Sequence, residues 1–422
     1  MSWWAQAGSR SLWRGAVGAC AAVAARGAGA LVLNKLLAIY GGPGGLTQLA
    51  QFQNLLALLT ALPTEGVQVG ATTYLAPLMP GQPRYRLWLG AALWVTLAAV
   101  MAGTAVLWIG GGSSWPPGRA LAVGGGALVV AIQALLGAAL LAAGRPGAYA
   151  GQAVVVTICG PAAVAGALAL RWPLPQVLLA YLGGQALAAL LAIALARRAG
   201  LLRGMVARAR PSRLAVRALG RFVLTAAGTL LFGRAVDFAV RAYLMAHFAP
   251  ARTDEWQAVA RLSDLVALAV GAGLGAVFFP RLAALAPVPA AQRRFLVASV
   301  GALALCLALV LGGICLGRTA VLETLFAPRL AGAAGLLAPQ LAGDWARMVG
   351  WTLQYQLLAA RRLWVYMAVQ AASAALYASM LAVWLPGHGI YGVVLAYAGR
   401  HTAVLALSLF VVFLQPLVRR RL

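Results

Sequence analysis

Arginines and carboxylates occur inside long apolar stretches of this sequence, where a charged side chain is costly. Arg234, Asp237 and Arg241 stand at i, i+3 and i+7, a spacing that places three side chains on one face of a helix. Arg261 and Asp264 are i, i+3 neighbours in the next stretch. A charge at the centre of a bilayer costs roughly 2.5–3.5 kcal/mol on insertion scales, so such residues usually face water or a partner. Their placement predicts a water-filled cavity inside a membrane.

Polar side chains form further stripes in other apolar stretches. One stripe at about helical period consists of Gln51, Asn54, Glu65, Gln68 and Thr72. Another, at three- to four-residue spacing, consists of Asp344, Arg347, Trp351 and Gln354. Arg400 lies in the middle of the last stretch. Arg26 and Lys35 lie in the first, where a separation of nine residues puts them on opposite faces of an ideal helix unless the helix bends.

These residue types favour the binding of an anion. Guanidinium groups bind phosphate and pyrophosphate oxygens through paired hydrogen bonds. Cations outnumber carboxylates in the apolar stretches, which leaves positive charge uncompensated. We therefore predict an anion-binding cavity that suits a phosphate or pyrophosphate. The predicted binding residues are Arg26, Lys35, Arg234, Arg241, Arg261, Arg347, Arg400, Gln51 and Asn54.

The carboxylates allow two other interpretations. Arg234 could simply neutralise Asp237, and Asp344 could neutralise Arg347, with no further role. Alternatively, intramembrane carboxylates could couple transport to H⁺ or Na⁺, because such groups commonly relay ions. The candidates for coupling or charge pairing are Glu65, Asp237, Asp264 and Asp344. Glu65 and Asp264 are the preferred candidates for coupling because neither has as obvious a partner in the sequence.

The elements that carry these residues are predicted to be membrane-spanning helices. Hydrophobic residues make up 63% of the sequence and charged residues only 9%. Stretches of roughly 20 apolar residues can cross a bilayer, where backbone groups must bond within the segment. The fold class is therefore an all-α polytopic membrane protein, with about twelve transmembrane helices in two six-helix lobes around a central cavity. The expected spans are 12–38, 47–76, 87–110, 118–143, 148–170, 174–196, 219–248, 256–283, 295–317, 331–359, 363–385 and 389–416.

An arginine-rich connection divides these helices into six and six. We predict an N-terminal lobe at 1–200, a basic cytoplasmic linker at 201–218 and a C-terminal lobe at 219–422. The linker could enforce topology and attract anionic lipid headgroups, at about 1 kcal/mol per arginine. It could also recruit an anionic substrate. The sequence is compatible with both.

The net charge of +26 would suit nucleic acid, but most arginines lie in short breaks between apolar stretches. The positive-inside rule places such clusters on the cytoplasmic side. Because the arginine-rich breaks alternate with poorer ones, both termini are predicted to be cytoplasmic. Membrane lipids, and not nucleic acid, are the expected surroundings of these charges.

Several function classes lack their motifs. The sequence contains no GxxxxGK[ST] phosphate loop, so we expect no ATP hydrolysis by this chain. His247, His388 and His401 are scattered without metal-ligand spacing, and the four cysteines form no CxxC. We predict a transporter with no enzymatic activity, no metal and no cofactor.

Three segments resemble a known transporter family. NKLLAIYGGPGGLTQLAQFQNLLALLTAL (34–62) resembles the first helical hairpin of bacterial O-antigen and enterobacterial-common-antigen flippases. The segment 254–285, with its Pro280-Arg281-Leu282 element, resembles their eighth helix, and 336–362 resembles their tenth. The segments keep the family's order and spacing. These flippases belong to the multidrug/oligosaccharidyl-lipid/polysaccharide exporter (MOP) superfamily.

The resemblance implies a cationic cavity between two six-helix lobes and alternating access without ATP hydrolysis. It implies an undecaprenyl-pyrophosphate-linked oligosaccharide as substrate, moved from the cytoplasmic to the periplasmic leaflet of the bacterial inner membrane. Glycan polymerases are candidate partners. One departure is PTEGVQVGATTYLAP (63–77), where the family is expected to be more polar. Glu65 lies within this departure.

Two other functions stay open. An ion-coupled antiporter for drugs or organic ions in the same superfamily would need carboxylates rather than arginines in its cavity. A membrane scaffold for glycan assembly would not transport and would need no polar stripes at mid-membrane depth.

Overall fold

The computed structural model describes residues 9–111, 117–202, 212–285, 287–360 and 362–414, with side chains from Ala24 onward except at 111, 225, 229, 276, 280, 363 and 414. These ranges are helical apart from short turns and contain no strand. The expected all-α class is confirmed.

The first half of the chain forms eight helices. They are α1 (Ser9–Tyr40), α2 (Gly45–Ala61), α3 (Gln68–Leu75), α4 (Pro83–Gly111), α5 (Pro117–Ala142), α6 (Pro146–Ala169), α7 (Leu174–Arg198) and α8 (Arg213–Thr229). The second half forms eight more. They are α9 (Ala235–His247), α10 (Pro250–Gly273), α11 (Phe279–Ala284), α12 (Pro289–Leu316), α13 (Arg318–Leu325), α14 (Ala334–Ala359), α15 (Leu363–His388) and α16 (Ile390–Leu409).

Wider π-helical turns join some of these helices end to end. Leu62–Val67 joins α2 to α3, Leu230–Arg234 joins α8 to α9, and Leu274–Phe278 joins α10 to α11. Counting each joined pair once and omitting the short α13, the described ranges form twelve long helices, the number predicted. Pro63 explains the first turn, because proline has no N–H to donate to the preceding helical turn.

Prolines also set where many helices begin. Pro83, Pro117, Pro146, Pro250 and Pro289 are the first residues of their helices. The first N–H groups of a helix have no intrahelical partner, so proline loses nothing there and its fixed φ suits the helix. The boundaries of α4, α5, α6, α10 and α12 therefore follow directly from the sequence.

Eight segments of the described ranges are long and apolar enough to cross a membrane. They are Pro83–Gly110, Pro117–Ala142, Pro146–Ala169, Leu174–Arg198, Arg213–His247, Pro289–Leu316, Trp364–His388 and Ile390–Phe413. The other four predicted spans correspond to α1, α2 with α3, α10 with α11, and α14, which carry many of the polar and charged stripes. The chain is a multi-pass membrane protein with transmembrane helices.

The chain separates into two compact units. The first unit comprises Met1–Gly41 and Gln48–Phe238, and the second comprises Gly42–Thr47 and Ala239–Leu422. The boundary lies within the continuous helix Arg213–His247. The predicted linker at 201–218 falls largely on residues 203–211, outside the described residues, so a division of the lobes there stays a prediction.

Helices of the first unit pack through small residues. A Cβ atom on Gly184 of α7 would overlap the main-chain carbonyl of Cys159 on α6. A Cβ atom on Gly66 would lie 2.8 Å from the Cα atom of Val223 on α8. Close backbone approach of this kind stabilises helix pairs in membranes, where hydrophobic burial gives little advantage over lipid. Glycine at these positions sets the distance between the helices.

In the second unit, a buried carboxylate holds the short segment that leads into the first turn of α2. Asp254 of α10 is fully buried and accepts hydrogen bonds from the main-chain N–H groups of Gly44 and Thr47, each at 2.9 Å. The Thr47 hydroxyl donates a third at 2.8 Å. Arg329 lies 3.5 Å from the same carboxylate and also donates to the carbonyl of Gly42. These contacts explain why Gly42–Thr47 belongs to the second unit.

Replacing Gly184 with alanine should separate α6 from α7. Overpacking of a close contact costs about 1–3 kcal/mol, so we expect a clear fall in the thermal unfolding temperature of the purified protein. Gly183→Ala is the matched control, because nothing lies within 4 Å of a Cβ atom there. Equal effects of the two substitutions would contradict the packing described for Gly184.

Candidate functional site

A polar cavity of about 460 Å³ lies within the first unit. Helices α1, α2, α3, α5, α6 and α7 contribute side chains to it. Its polar lining consists of Arg26, Gln53, Thr60, Gln68, Gln133, Tyr149, Gln152, Tyr181 and Gln185. Its apolar lining consists of Leu56, Ala57, Val130, Ala134, Gly137, Ala153 and Val156. The volume falls in the range of roughly 300–1,000 Å³ typical of small-molecule sites.

Arg26 supplies the cationic group of this cavity. Its Nη2 atom donates a hydrogen bond of 2.8 Å to the hydroxyl of Tyr149, and its guanidinium carbon lies 5.5 Å from the centre of the Tyr149 ring. Tyr149 therefore orients a guanidinium whose remaining N–H groups are available for an anion. Among the described lining residues Arg26 is the single cation, and none is a carboxylate.

Three glutamines join neighbouring helices of the cavity wall. The Nε2 atom of Gln133 donates to the main-chain oxygen of Gln185 at 2.8 Å. The Nε2 atom of Gln152 donates to the main-chain oxygen of Gln133, also at 2.8 Å. All three residues are buried. Polar contacts between otherwise apolar helices thus run from α6 through α5 to α7.

The residues of the polar face predicted for α2 and α3 do not all line this cavity. Gln68 of the predicted stripe lines the cavity, but Gln51 and Asn54 lie outside its lining, and Gln53 and Thr60 take their place. The turn Leu62–Val67 explains the difference. One extra residue in a helix rotates all later side chains by about 100°, so Gln68 no longer shares a face with Gln51 and Asn54 and instead shares one with Gln53 and Thr60. A single α-helical period drawn across this turn does not follow the lining of this cavity.

The wall glutamines were missed because the sequence prediction relied on charges. Gln133, Gln152 and Gln185 are isolated amides, one in each of three apolar helices. A single uncharged amide lowers the hydropathy of an apolar helix only slightly, so it gives little indication of a functional site. One amide on each of three successive helices was the feature that could have revealed this wall.

Glu65 and Arg234 form an ion pair in the first unit, with Oε1 of Glu65 3.2 Å from Nη2 of Arg234. Each lies in a π-helical turn, at Leu62–Val67 and Leu230–Arg234 respectively. The sequence showed no obvious partner for Glu65, because pairing between distant helices is not visible in it. Arg234 thus pairs with a carboxylate far away in the chain, where the sequence suggested Asp237, whose side chain is exposed.

Arg241, the third member of the predicted face, belongs to the second unit and is buried. Its Nε atom donates to Oε1 of Gln257 at 2.8 Å, and its guanidinium carbon lies 5.5 Å from the centre of the Trp256 ring. Arg234 and Asp237 are exposed and belong to the first unit. The three residues therefore have different surroundings, although their spacing would place them on one face of a helix.

The second unit contains a triad of Asp344, which is fully buried, with Tyr397 and Arg347, which are partly buried. The Tyr397 hydroxyl donates to Oδ1 of Asp344 at 2.8 Å and accepts from Nη1 of Arg347 at 2.6 Å. The carboxylate and guanidinium are themselves 4.0 Å apart. Arg347 also lies over Trp351, 5.0 Å from the ring centre. The predicted neighbours Asp344 and Arg347 do interact, and Tyr397 of α16 bridges them.

The remaining predicted charges also have defined surroundings. Arg261 and Asp264, which are i, i+3 neighbours in the sequence, lie 3.8 Å apart and form an ion pair. Arg400 donates through Nε to the hydroxyl of Ser373 at 2.8 Å and lies 4.9 Å from the centre of the Tyr377 ring. Lys35 is exposed on α1 and does not line the cavity that contains Arg26.

A second cavity, of about 340 Å³, lies in the second unit and is mainly apolar. Its lining consists of Ala239, Val240, Tyr243, Leu244, Ala378, Leu381, Ala382, Leu385 and Pro386. Within the part of the chain that the structure describes, no group of three or more His, Cys, Asp or Glu residues could hold a metal ion.

Comparison with solved structures identifies the architecture. One similar structure is a multidrug resistance MATE family transporter of the MOP superfamily, solved in an inward-facing conformation. The alignment covers 96% of this chain and 99% of the transporter, with a TM-score of 0.76 and 11% sequence identity. For the lipid II flippase MurJ the alignment covers 94% of this chain and 87% of the flippase, with a TM-score of 0.68 and 12% sequence identity. The chain has the fold of these transporters.

A Vibrio cholerae MATE transporter shows the same likeness, with 14% identity, a TM-score of 0.63 and 97% of each chain covered. No protein-family model matches the chain, and no curated protein matches its sequence. At such low identity the comparisons establish the fold, which is shared by transporters named for drugs and for a lipid-linked precursor. The substrate must be inferred from the residues of this chain.

Tyr397→Phe tests the triad. Removal of the hydroxyl takes a hydrogen bond from a fully buried carboxylate, and an unsatisfied buried polar group costs about 1–3 kcal/mol. We expect a fall in thermal unfolding temperature. Tyr391→Phe on the same helix is the control, because that side chain is exposed. A Tyr397→Phe protein as stable as the control would contradict the bridging role.

Proposed function

We propose that this protein is a flippase for undecaprenyl-pyrophosphate-linked oligosaccharides, moving them from the cytoplasmic to the periplasmic leaflet of the bacterial inner membrane. The observation that carries the proposal is the polar cavity of the first unit, whose described lining contains Arg26, several amides and no carboxylate. Such a lining suits an anionic group attached to a polar, uncharged one. The substrate has this composition.

Arg26 suits the pyrophosphate. A guanidinium has five N–H donors in a planar fork that matches two phosphate oxygens at once, and Tyr149 accepts one of them. Because Tyr149 is neutral, the bond orients Arg26 without cancelling its charge. Arg400 resembles it, since its hydrogen-bond partner Ser373 is also neutral. Positive charge held by neutral partners is a feature expected of an anion transporter.

Transport by this protein would proceed by alternating access, with both termini in the cytoplasm and no enzymatic step. The energy source in this proposal is H⁺ or Na⁺ coupling, with Asp344 as the coupling residue. Asp344 is fully buried, and its Oδ2 atom has no hydrogen-bond partner in the described structure. A proton or a sodium ion would satisfy that oxygen. All three carboxylates have an arginine partner, but the side chains of Glu65 and Asp264 are not buried, so they suit the role less well.

The alternative function is an ion-coupled antiporter for drugs or organic ions. Two observations favour it: the likeness to multidrug MATE transporters and the apolar cavity of the second unit. An organic cation, however, needs a carboxylate or a wholly apolar, aromatic surface in its site. The polar cavity instead presents Arg26 to its contents. The charge of the cavity therefore favours the flippase.

Arg26→Ala tests the flippase in a bacterium that lacks its own O-antigen flippase. Wild-type protein should restore surface glycan, and Arg26→Ala should lower it by about tenfold or more, because a charge-assisted bond to the substrate is lost. Arg252→Ala is the control, because Arg252 is exposed and pairs with Glu255 outside the cavity. Membrane amounts are compared by immunoblotting.

Failure of the wild-type protein to restore glycan in hosts with different glycans, together with resistance to cationic drugs, would contradict the flippase and support the antiporter. Equal glycan levels with Arg26→Ala and Arg252→Ala would remove Arg26 from the substrate site.

Asp344→Asn tests ion coupling in proteoliposomes. Translocation of a fluorescent lipid-linked glycan by the wild type should respond to an imposed H⁺ or Na⁺ gradient, and the variant should lose that response, because an amide neither titrates nor carries charge. Glu323→Gln, an exposed carboxylate on α13, is the control. A gradient response that survives in Asp344→Asn would rule out this residue as the coupling site.

A further inference from the structure

We propose that Gln133, Gln152 and Gln185 form a subsite that hydrogen-bonds the hydroxyl groups of an uncharged sugar next to the pyrophosphate. This inference rests on the proposed function and names the part of the substrate that the cavity wall recognises. The first observation is their placement: one amide on each of α5, α6 and α7, exposed by only 4%, 6% and 4%.

The second observation is that the wall is rigid. The amide N–H groups of Gln133 and Gln152 bond to main-chain carbonyls of adjacent helices, which fixes the plane of both amides. A wall fixed in this way needs little further ordering when a ligand binds, which favours affinity. Its hydrogen-bonding groups are therefore set in place before the substrate arrives.

The third observation is an unsatisfied acceptor in this wall. The Oε1 atom of Gln152 is buried and has no hydrogen-bond partner in the described structure. A buried acceptor without a partner costs free energy, and a ligand with an O–H donor would recover it. An amide oxygen repels a phosphate oxygen and attracts a hydroxyl hydrogen, so this atom selects for the glycan and against the pyrophosphate.

Uncharged amides suit sugars for a chemical reason. A hydroxyl both donates and accepts, and a glutamine amide offers two N–H donors beside one oxygen acceptor. Tyr149 and Tyr181 line the same cavity, and aromatic rings pack well against the apolar faces of sugar rings. Tyr149 also bonds Arg26, so the aromatic surface joins the proposed pyrophosphate group to the amides. The cavity thus has a cationic end, at Arg26, for the pyrophosphate and an amide end for the sugar hydroxyls.

Two glycines leave room for this arrangement. A Cβ atom on Gly160 would lie 2.9 Å from Nε2 of Gln185 and from a ring carbon of Tyr181. A Cβ atom on Gly137 would lie 3.3 Å from Oε1 of Gln152 and from the ring of Tyr149. Larger residues at either position would displace the amide and the aromatic ring together.

The experiment compares two kinds of probe bound to the full chain in lipid nanodiscs. One is farnesyl pyrophosphate, and the other is farnesyl pyrophosphate carrying a single glucose, galactose or N-acetylglucosamine. We expect the wild type to bind at least one sugar-bearing probe about tenfold more tightly than the sugar-free one. Gln152→Met and Gln185→Met should reduce that difference by about threefold to tenfold, the effect of one or two neutral hydrogen bonds.

The affinity for farnesyl pyrophosphate itself should stay unchanged in both variants, whereas Arg26→Ala should weaken both kinds of probe. Gln292→Met is the matched control, because its amide also donates to a main-chain carbonyl, that of Leu282 at 3.0 Å, but in the second unit. Gln185→Met is the safer variant for folding, since the bond from Gln133 reaches the main-chain oxygen of Gln185, which the substitution keeps.

Two results would overturn the subsite while leaving the proposed function intact. One is binding of farnesyl pyrophosphate with no gain from any of the three sugars. The other is equal weakening of both probes by Gln152→Met and Gln185→Met, which would make the glutamines structural contacts between helices. If neither kind of probe binds the wild type, the proposed function fails, and the subsite with it.

Discussion

The need to satisfy polar groups without water governs this molecule. In hydrocarbon each backbone N–H and C=O must bond within the protein, which makes the chain helical, and each polar side chain needs a partner as well. The fully buried Asp254 shows the consequence, since its carboxylate accepts three hydrogen bonds from Gly44 and Thr47. The π-helical turn at Pro63 is a local departure from the α-helix, because proline has no N–H group to donate to the preceding helical turn.

The same rule distinguishes charged groups that have charged partners from those that have neutral partners. Asp344 and Arg347 are joined through the hydroxyl of Tyr397, so much of their charge is compensated locally. Arg26 is held by a neutral phenol and borders a cavity that contains no carboxylate in its described lining. A cation held by a neutral partner keeps its attraction for anions. The location of the proposed substrate site follows from this difference in partners rather than from the number of arginines.

A MOP-type fold does not select a substrate by itself. The solved transporters that resemble this chain are named for multidrug resistance and for lipid II, yet their architecture is shared. What differs is the chemistry of the cavity walls. Here amides and tyrosines surround one guanidinium, a combination suited to a ligand with one anionic group and many hydroxyls. The wall glutamines extend that argument from the charge of the substrate to its sugar.

The helical class, the twelve long helices and many of their first residues could be predicted from the sequence, because hydropathy and proline act locally. The excess of arginine over carboxylate within the helices could be predicted in the same way. Three outcomes required the folded chain: Glu65 pairs with Arg234, Gln53 replaces Gln51 and Asn54 at the cavity, and three isolated glutamines share one wall. They depend on the π-helical turn at Leu62–Val67 and on how neighbouring helices face one another. A one-dimensional pattern cannot specify either, because the contacts join residues far apart in the chain.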